Sequence, residues 1–169
     1  MLSLILFRHA KSDWDAPFAS DHERPLAARG IEAARCMGRL LHQMQQMPGL
    51  AVSSSAQRTR DTLQLAARAG RWECEMRIES GLYEATPEAV TAWIRRLDDA
   101  PDSVLLVGHE PTWSSLAGQL TGGSSLRVPT ACMLRIDFDC TSWSEIAPGR
   151  GQLRWLLPPK VVCRNKPHR

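Results

Sequence analysis

The chain has 169 residues, 43% of them hydrophobic and 23% charged, with a formal net charge of +3. That size and balance mark an ordinary soluble globular protein, most economically one domain with a full core. The charge is too small and dispersed for a nucleic-acid binder, and no stretch approaches the ~20 apolar residues of a membrane span.

Leu2–Phe7 is a continuous apolar run, the pattern of a strand buried on both faces, and it stops abruptly at Arg8-His9. From Ala28 to about Gln46, apolar residues recur at three- and four-residue steps (Ile31, Ala34, Met37, Leu41, Met44), which predicts an amphipathic helix. Leu50–Ser53 reads as a second strand, and Ala56–Ala69 as a helix with Gly70 as its stop. Thr86-Pro87 has the form of an N-cap followed by proline, opening a helix that continues through Val90, Trp93, Ile94 and Leu97. Ser103–Val107 is another buried strand, and Pro111 to about Leu120 another helix. From Thr130 the rhythm changes to three strand-like segments, CMLRIDF, SWSEI and QLRWLL, with no helix between them. The order predicts an α/β fold: a mainly parallel sheet flanked by helices, with antiparallel C-terminal strands.

Five cysteines, an odd number without a C-x-x-C pair, suggest neither a zinc knuckle nor a redox dithiol. Free, mostly buried thiols in a reducing compartment are expected. The apolar start is too short for a signal peptide and lacks a basic segment before it, so a cytoplasmic location is expected. The division expected is a single domain over 1–160 and a basic, solvated tail over 161–169.

Ligands of open parallel sheets bind outside the carboxyl ends of the strands. Three strands here end in groups suited to an oxyanion: Arg8-His9, the Ser53-Ser54-Ser55 turn leading to Arg58 in the next helix, and Gly108-His109-Glu110-Pro111. Helix N-termini offer free N–H groups at the second and third junctions, and arginine supplies a planar fork for two phosphate oxygens. Each piece alone has a plainer explanation: a capping histidine, a solvated helix face beside Arg60 and Arg68, a tight glycine turn. Jointly they describe a pocket for a dianionic phosphoryl group.

At these residues the sequence resembles the histidine phosphatase superfamily, the phosphoglycerate mutase-like fold, and within it the SixA-type phosphohistidine phosphatases. The matching segments are LILFRHAKSDW (4–14), DHERPLAARG (21–30), SSSAQRTRDT (53–62), LYEAT (82–86), LLVGHEPT (105–112) and LRVPTACMLRIDF (126–138), in the family's order. The resemblance implies a three-layer fold, His9 as the nucleophile, and Arg8, Arg58 and His109 as the phosphate clamp, with no metal or other cofactor. Ser55 departs from the proline of many relatives, and Glu110 puts a negative charge near the anion site, where it either points away or raises the His109 pKa.

A histidine nucleophile must be neutral with one nitrogen free, and cations at Arg8 and Arg58 disfavour its protonation. The same cations stabilise the transferring group, and a protonated His109 would add a further donor. A phosphoester also needs a general acid, for which Glu84 is the candidate; phosphohistidine, whose imidazole departs readily once protonated, does not. Lys11 and Ser12 could touch the phosphate, and Trp14 and Trp113 a partner. Without a long insertion to form a lid, the pocket should be shallow and suit a side chain on another protein. The expected function is therefore dephosphorylation of phosphohistidine on a partner protein by a monomeric enzyme. The alternatives are a small-molecule phosphomonoesterase using Glu84 and a phosphate-binding module without turnover.

Overall fold

The computed structural model describes residues 1–163 except 98, 99 and 124. Six strands, β1 (Leu2–Arg8), β2 (Leu50–Ser54), β3 (Glu75–Glu79), β4 (Ser103–Gly108), β5 (Met133–Phe138) and β6 (Gly151–Leu157), form one sheet in the order β3-β2-β4-β1-β5-β6. The first four in that order run parallel, and β5 and β6 are antiparallel to their neighbours. Among the described residues five α-helices accompany them: α1 (Ala28–Gln43), α2 (Gln57–Gly70), α3 (Pro87–Ile94), α4 (Thr112–Leu120) and the short α5 (Pro159–Val162).

The apolar runs are continuous because both sheet faces are covered. Leu2, Leu4 and Leu6 of β1 pack with Val90 and Ile94 of α3 and Leu116 and Leu120 of α4. Ile5 and Phe7, pointing the other way, pack with Ala34, Met37 and Leu41 of α1 and Leu63 and Ala66 of α2. The result is the expected three-layer α/β sandwich, and it locks β1 so that residues 8 and 9 emerge at its carboxyl end.

Several expectations shift. The strand β3 has no apolar run: it is an edge strand with Met76 and Ile78 51% and 54% exposed. SWSEI is not a strand but a 3-10 turn at Trp143–Glu145, closed by a capping box between Ser142 and Glu145. Gly70 does not stop α2; Arg71, in the left-handed region at φ 52°, does. Gly70 instead permits close packing, since a Cβ there would strike the Gly38 carbonyl of α1 and the Trp72 indole. The helix opened by Thr86, whose hydroxyl accepts from the Ala89 N–H, ends at Ile94 before reaching Leu97.

Two cysteines are not free. Cys36 of α1 and Cys163 form a disulfide, while Cys74, Cys132 and Cys140 are free thiols. The proposed tail therefore begins inside α5 and is fastened at Cys163; its residues 164–169 lie outside the described residues. Among the described residues no helix is long and apolar enough to cross a membrane.

Candidate active site

The three strand ends meet. Arg8 and His9 at the end of β1, Arg58 in the first turn of α2 and His109 after β4 all line one cavity of about 650 Å3. The His9 and His109 ring centroids are 5.4 Å apart. Arg58 Nη2 donates to His109 Nδ1 at 3.3 Å. A larger groove of about 790 Å3 between α1, α2 and β3, lined by Leu26, Ile31, Leu65, Trp72 and Met76, contains none of these four.

Local contacts fix His9 closely. Its Nδ1 lies 2.8 Å from the Ala10 carbonyl, which can only accept, so Nδ1 carries the proton and Nε2 keeps its lone pair. Ala10 is itself anchored, because its N–H donates to Thr62 Oγ1 (3.0 Å), which donates in turn to the Arg58 carbonyl (2.6 Å). One buried threonine thus ties the His9 loop to the helix that carries Arg58. His9 is 8% exposed. Burial, with the neighbouring His109, Arg58 and Arg8, lowers its pKa to about 3, against the pull of the Ala10 hydrogen bond. The sequence assigned this neutrality to the arginines; burial is the larger cause.

His109 is also neutral. Burial and then the Arg58 charge lower its pKa to about 4, so the further donor that a protonated His109 would add is not present at neutral pH. Because its Nδ1 accepts from Arg58, its Nε2–H donates to Ser54 Oγ at 2.8 Å. Glu110 takes neither of its two options: it lines the cavity and its charge acts on Arg8 rather than on His109, while its carboxylate accepts the Ser114 N–H at 2.7 Å and caps α4. The N-terminus of α4 is thereby occupied, whereas α2 starts without a side-chain cap. Gly108 supports this junction, since a Cβ there would collide with the Trp113 ring, whose Nε1 donates to the Phe7 carbonyl. Trp113 is fully buried and unavailable to a partner, while Trp14 is 63% exposed at the rim.

Two residues that the sequence did not single out complete the site. Asp21 accepts from Arg58 Nη2 (3.1 Å), from the Tyr83 hydroxyl (3.1 Å) and from Arg24 Nε and Nη2 (3.2 and 2.9 Å). Its backbone carbonyl accepts from Arg58 Nη1 at 2.7 Å. Burial acts to raise the Asp21 pKa, but the bonds from Arg24, Arg58 and Tyr83 outweigh it and hold the carboxyl below its ordinary value. Arg24 is 6% exposed, donates to Ser12 Oγ and stacks 3.7 Å from the centroid of Trp14. Ser12 is therefore committed to Arg24, and Lys11 lines the cavity. Glu84 lines the same cavity, exposed and in the left-handed region at φ 54°. Arg8 Nε and Arg58 Nε are buried without a hydrogen-bond partner, while Arg8 Nη1 donates to the Val128 carbonyl. Guanidinium groups with donors left over are the type of group that pairs with an oxyanion.

Comparison with known proteins agrees with this geometry. A profile of the histidine phosphatase superfamily (branch 1) matches residues 4–89. The chain belongs to the histidine phosphatase superfamily. An uncharacterised protein of Mycobacterium tuberculosis is 34% identical over 162 residues, covering 90% of this chain and 99% of its own. A chloroplastic protein of Arabidopsis thaliana is 31% identical over 170 residues, 92% of this chain and 77% of that one. Among solved structures, a candidate phosphohistidine phosphatase SixA from Agrobacterium tumefaciens superposes with a TM-score of 0.80 at 28% identity, covering 94% and 98% of the two chains. A protein histidine phosphatase SixA in complex with tungstate shares the fold, at TM-score 0.80 and 22% identity over 95% and 99%. This histidine phosphatase is thus of the SixA type, with the phosphoglycerate mutase-like fold, and it is a hydrolase of phosphorylated substrates.

Proposed function

We propose that this histidine phosphatase removes the phosphoryl group from phosphohistidine on a partner protein, in two steps through a phosphohistidine formed on His9, without a metal or other cofactor. The observation that carries the reading is the state of His9: buried, neutral, its Nδ1 proton held by Ala10 and its Nε2 free beside Arg8, Arg58 and His109. In the first step Nε2 attacks phosphorus while Arg8 and Arg58 take the charge on the equatorial oxygens. In the second, water attacks phospho-His9. The proton that Ala10 keeps on Nδ1 lets His9 leave as neutral imidazole, so the second step needs no separate acid on the leaving side.

A protein substrate is favoured by the rim, where Trp14 stands exposed with Arg24 stacked against it. Glu84 supports the second reading, a small-molecule phosphomonoesterase, because it lines the same cavity and is held in the left-handed region. A turnover panel separates the readings. Phosphohistidine protein should be hydrolysed faster than alkyl phosphates, equally with and without chelator, and not at all by His9→Ala. Efficient hydrolysis of alkyl phosphates that collapses in Glu84→Gln, with phosphohistidine protein untouched, would replace the first reading by the second. A non-catalytic phosphate-binding module would turn over neither substrate.

A further inference from the structure

We propose that Asp21 reads the leaving group: its carboxylate accepts the N–H that a phosphohistidine ring carries on its unphosphorylated nitrogen, selecting P–N over P–O substrates. The inference rests on the phosphohistidine reading above and names the residue that enforces it.

Position comes first. The side chains of Arg58 and Arg24 are 6% and 7% exposed, whereas that of Asp21 is 48% exposed. Asp21 therefore stands on the solvent side of the buried floor formed by His9 and Arg58. In an in-line transfer to His9 Nε2 the departing atom lies on the face of phosphorus away from His9. For a substrate entering from solvent that face is the open mouth, the side on which Asp21 sits. Tyr83, which holds Asp21, also presents its ring there, 5.6 Å from His109 and 4.9 Å from His22 between centroids. A flat leaving ring meets an aromatic wall and a carboxylate on the same side.

Hydrogen-bond accounting supplies the selectivity. In the resting site both Asp21 oxygens are satisfied, Oδ1 by Arg24 and Oδ2 by Arg58 Nη2 and Tyr83. A phosphoryl dianion recruits the Arg58 fork and so draws Nη2 away from Oδ2. A phosphohistidine ring brings the replacement donor with it. An alkyl or aryl phosphate brings none, and it leaves a carboxylate facing an oxygen that gains negative charge as the bond breaks. Asp21 is held ionised by Arg24, Arg58 and Tyr83 and so cannot serve as the acid such a substrate needs.

The transfer balances. The Nε2 lone pair of His9 makes the new N–P bond, and the pair of the old P–N bond returns to the substrate ring. That ring departs as neutral imidazole because its other nitrogen already holds a proton. The proton stays on the ring throughout, and the Asp21 charge favours its retention as pH rises. The charged and titratable groups acting on Asp21 are Arg24 on its own turn, Arg58 on α2, Tyr83 ahead of α3 and His109 after β4, with His22 and Glu84 beside Tyr83.

The test compares phosphoimidazole with p-nitrophenyl phosphate on wild type and Asp21→Asn. The variant should lose about tenfold or more in kcat/KM on phosphoimidazole, and the alkaline limb of its pH profile should move down by about one unit. On p-nitrophenyl phosphate, whose leaving group is anionic, kcat/KM should rise. An equal loss on both substrates, or an unshifted pH profile, overturns the inference, because Asp21 would then merely position Arg58. Wild type that hydrolyses p-nitrophenyl phosphate but leaves phosphoimidazole intact overturns the phosphohistidine reading along with it.

Discussion

Lowering the pH from 8 to 5 should destabilise the fold through the two site histidines. Burial first, and the nearby arginines second, lower His9 to about 3 and His109 to about 4, against about 6.5 for an unfolded histidine. Between those limits the unfolded chain binds protons that the folded chain refuses, so stability is greatest above the unfolded pKa and is lost as pH falls below it. At pH 5 both rings are still neutral in the fold and nearly fully protonated in the unfolded chain. Each then withdraws about 2 kcal/mol relative to pH 8, roughly 4 kcal/mol together, a large share of the ~5–15 kcal/mol that holds a typical domain. Urea unfolding followed by tryptophan fluorescence at stepped pH reads this directly. His9→Gln and His109→Gln should each flatten the curve by about half. Equal stability at pH 8 and pH 5, or an unchanged slope in His9→Gln, would refute the claim that these rings are buried neutral.

Two further outcomes follow from contacts away from the reacting atoms. Thr62→Val removes the acceptor of the buried Ala10 N–H; it should cost about 1–3 kcal/mol in urea unfolding and slow phosphorylation of His9. Alkylation of the denatured, unreduced protein should add three groups, at Cys74, Cys132 and Cys140, and five after reduction; five without reduction would contradict the Cys36–Cys163 bond.

Strand ends proved easier to read than loops. Runs such as Leu2–Phe7 and Ser103–Val107 announce buried parallel strands because both faces are covered, and the residues that follow them must emerge at one edge. The convergence of Arg8, His9, Arg58 and His109 on one cavity was legible for that reason. Asp21 was not, because its partners Arg58 and Tyr83 lie far along the chain and only the folded 3-10 turn at Asp21–Glu23 brings it to them. Residues 75–79 escaped because an exposed edge strand alternates charge with apolar side chains and carries no burial signal. Gly70 was misread as a terminator because its use, close packing against Gly38, depends on α1, a helix distant from it in the chain. The Cys36–Cys163 pair, 127 residues apart, has no local signature at all.

The central claim is that a phosphoryl group passes through His9. Rapid acid-free quenching of wild type with a ³²P-labelled phosphohistidine protein, followed by peptide mapping, tests it most directly. An alkali-stable, acid-labile label on the peptide containing His9, absent from His9→Ala, is the result expected. Turnover of that substrate by His9→Ala at the wild-type rate, or a label on any other residue, would contradict the account.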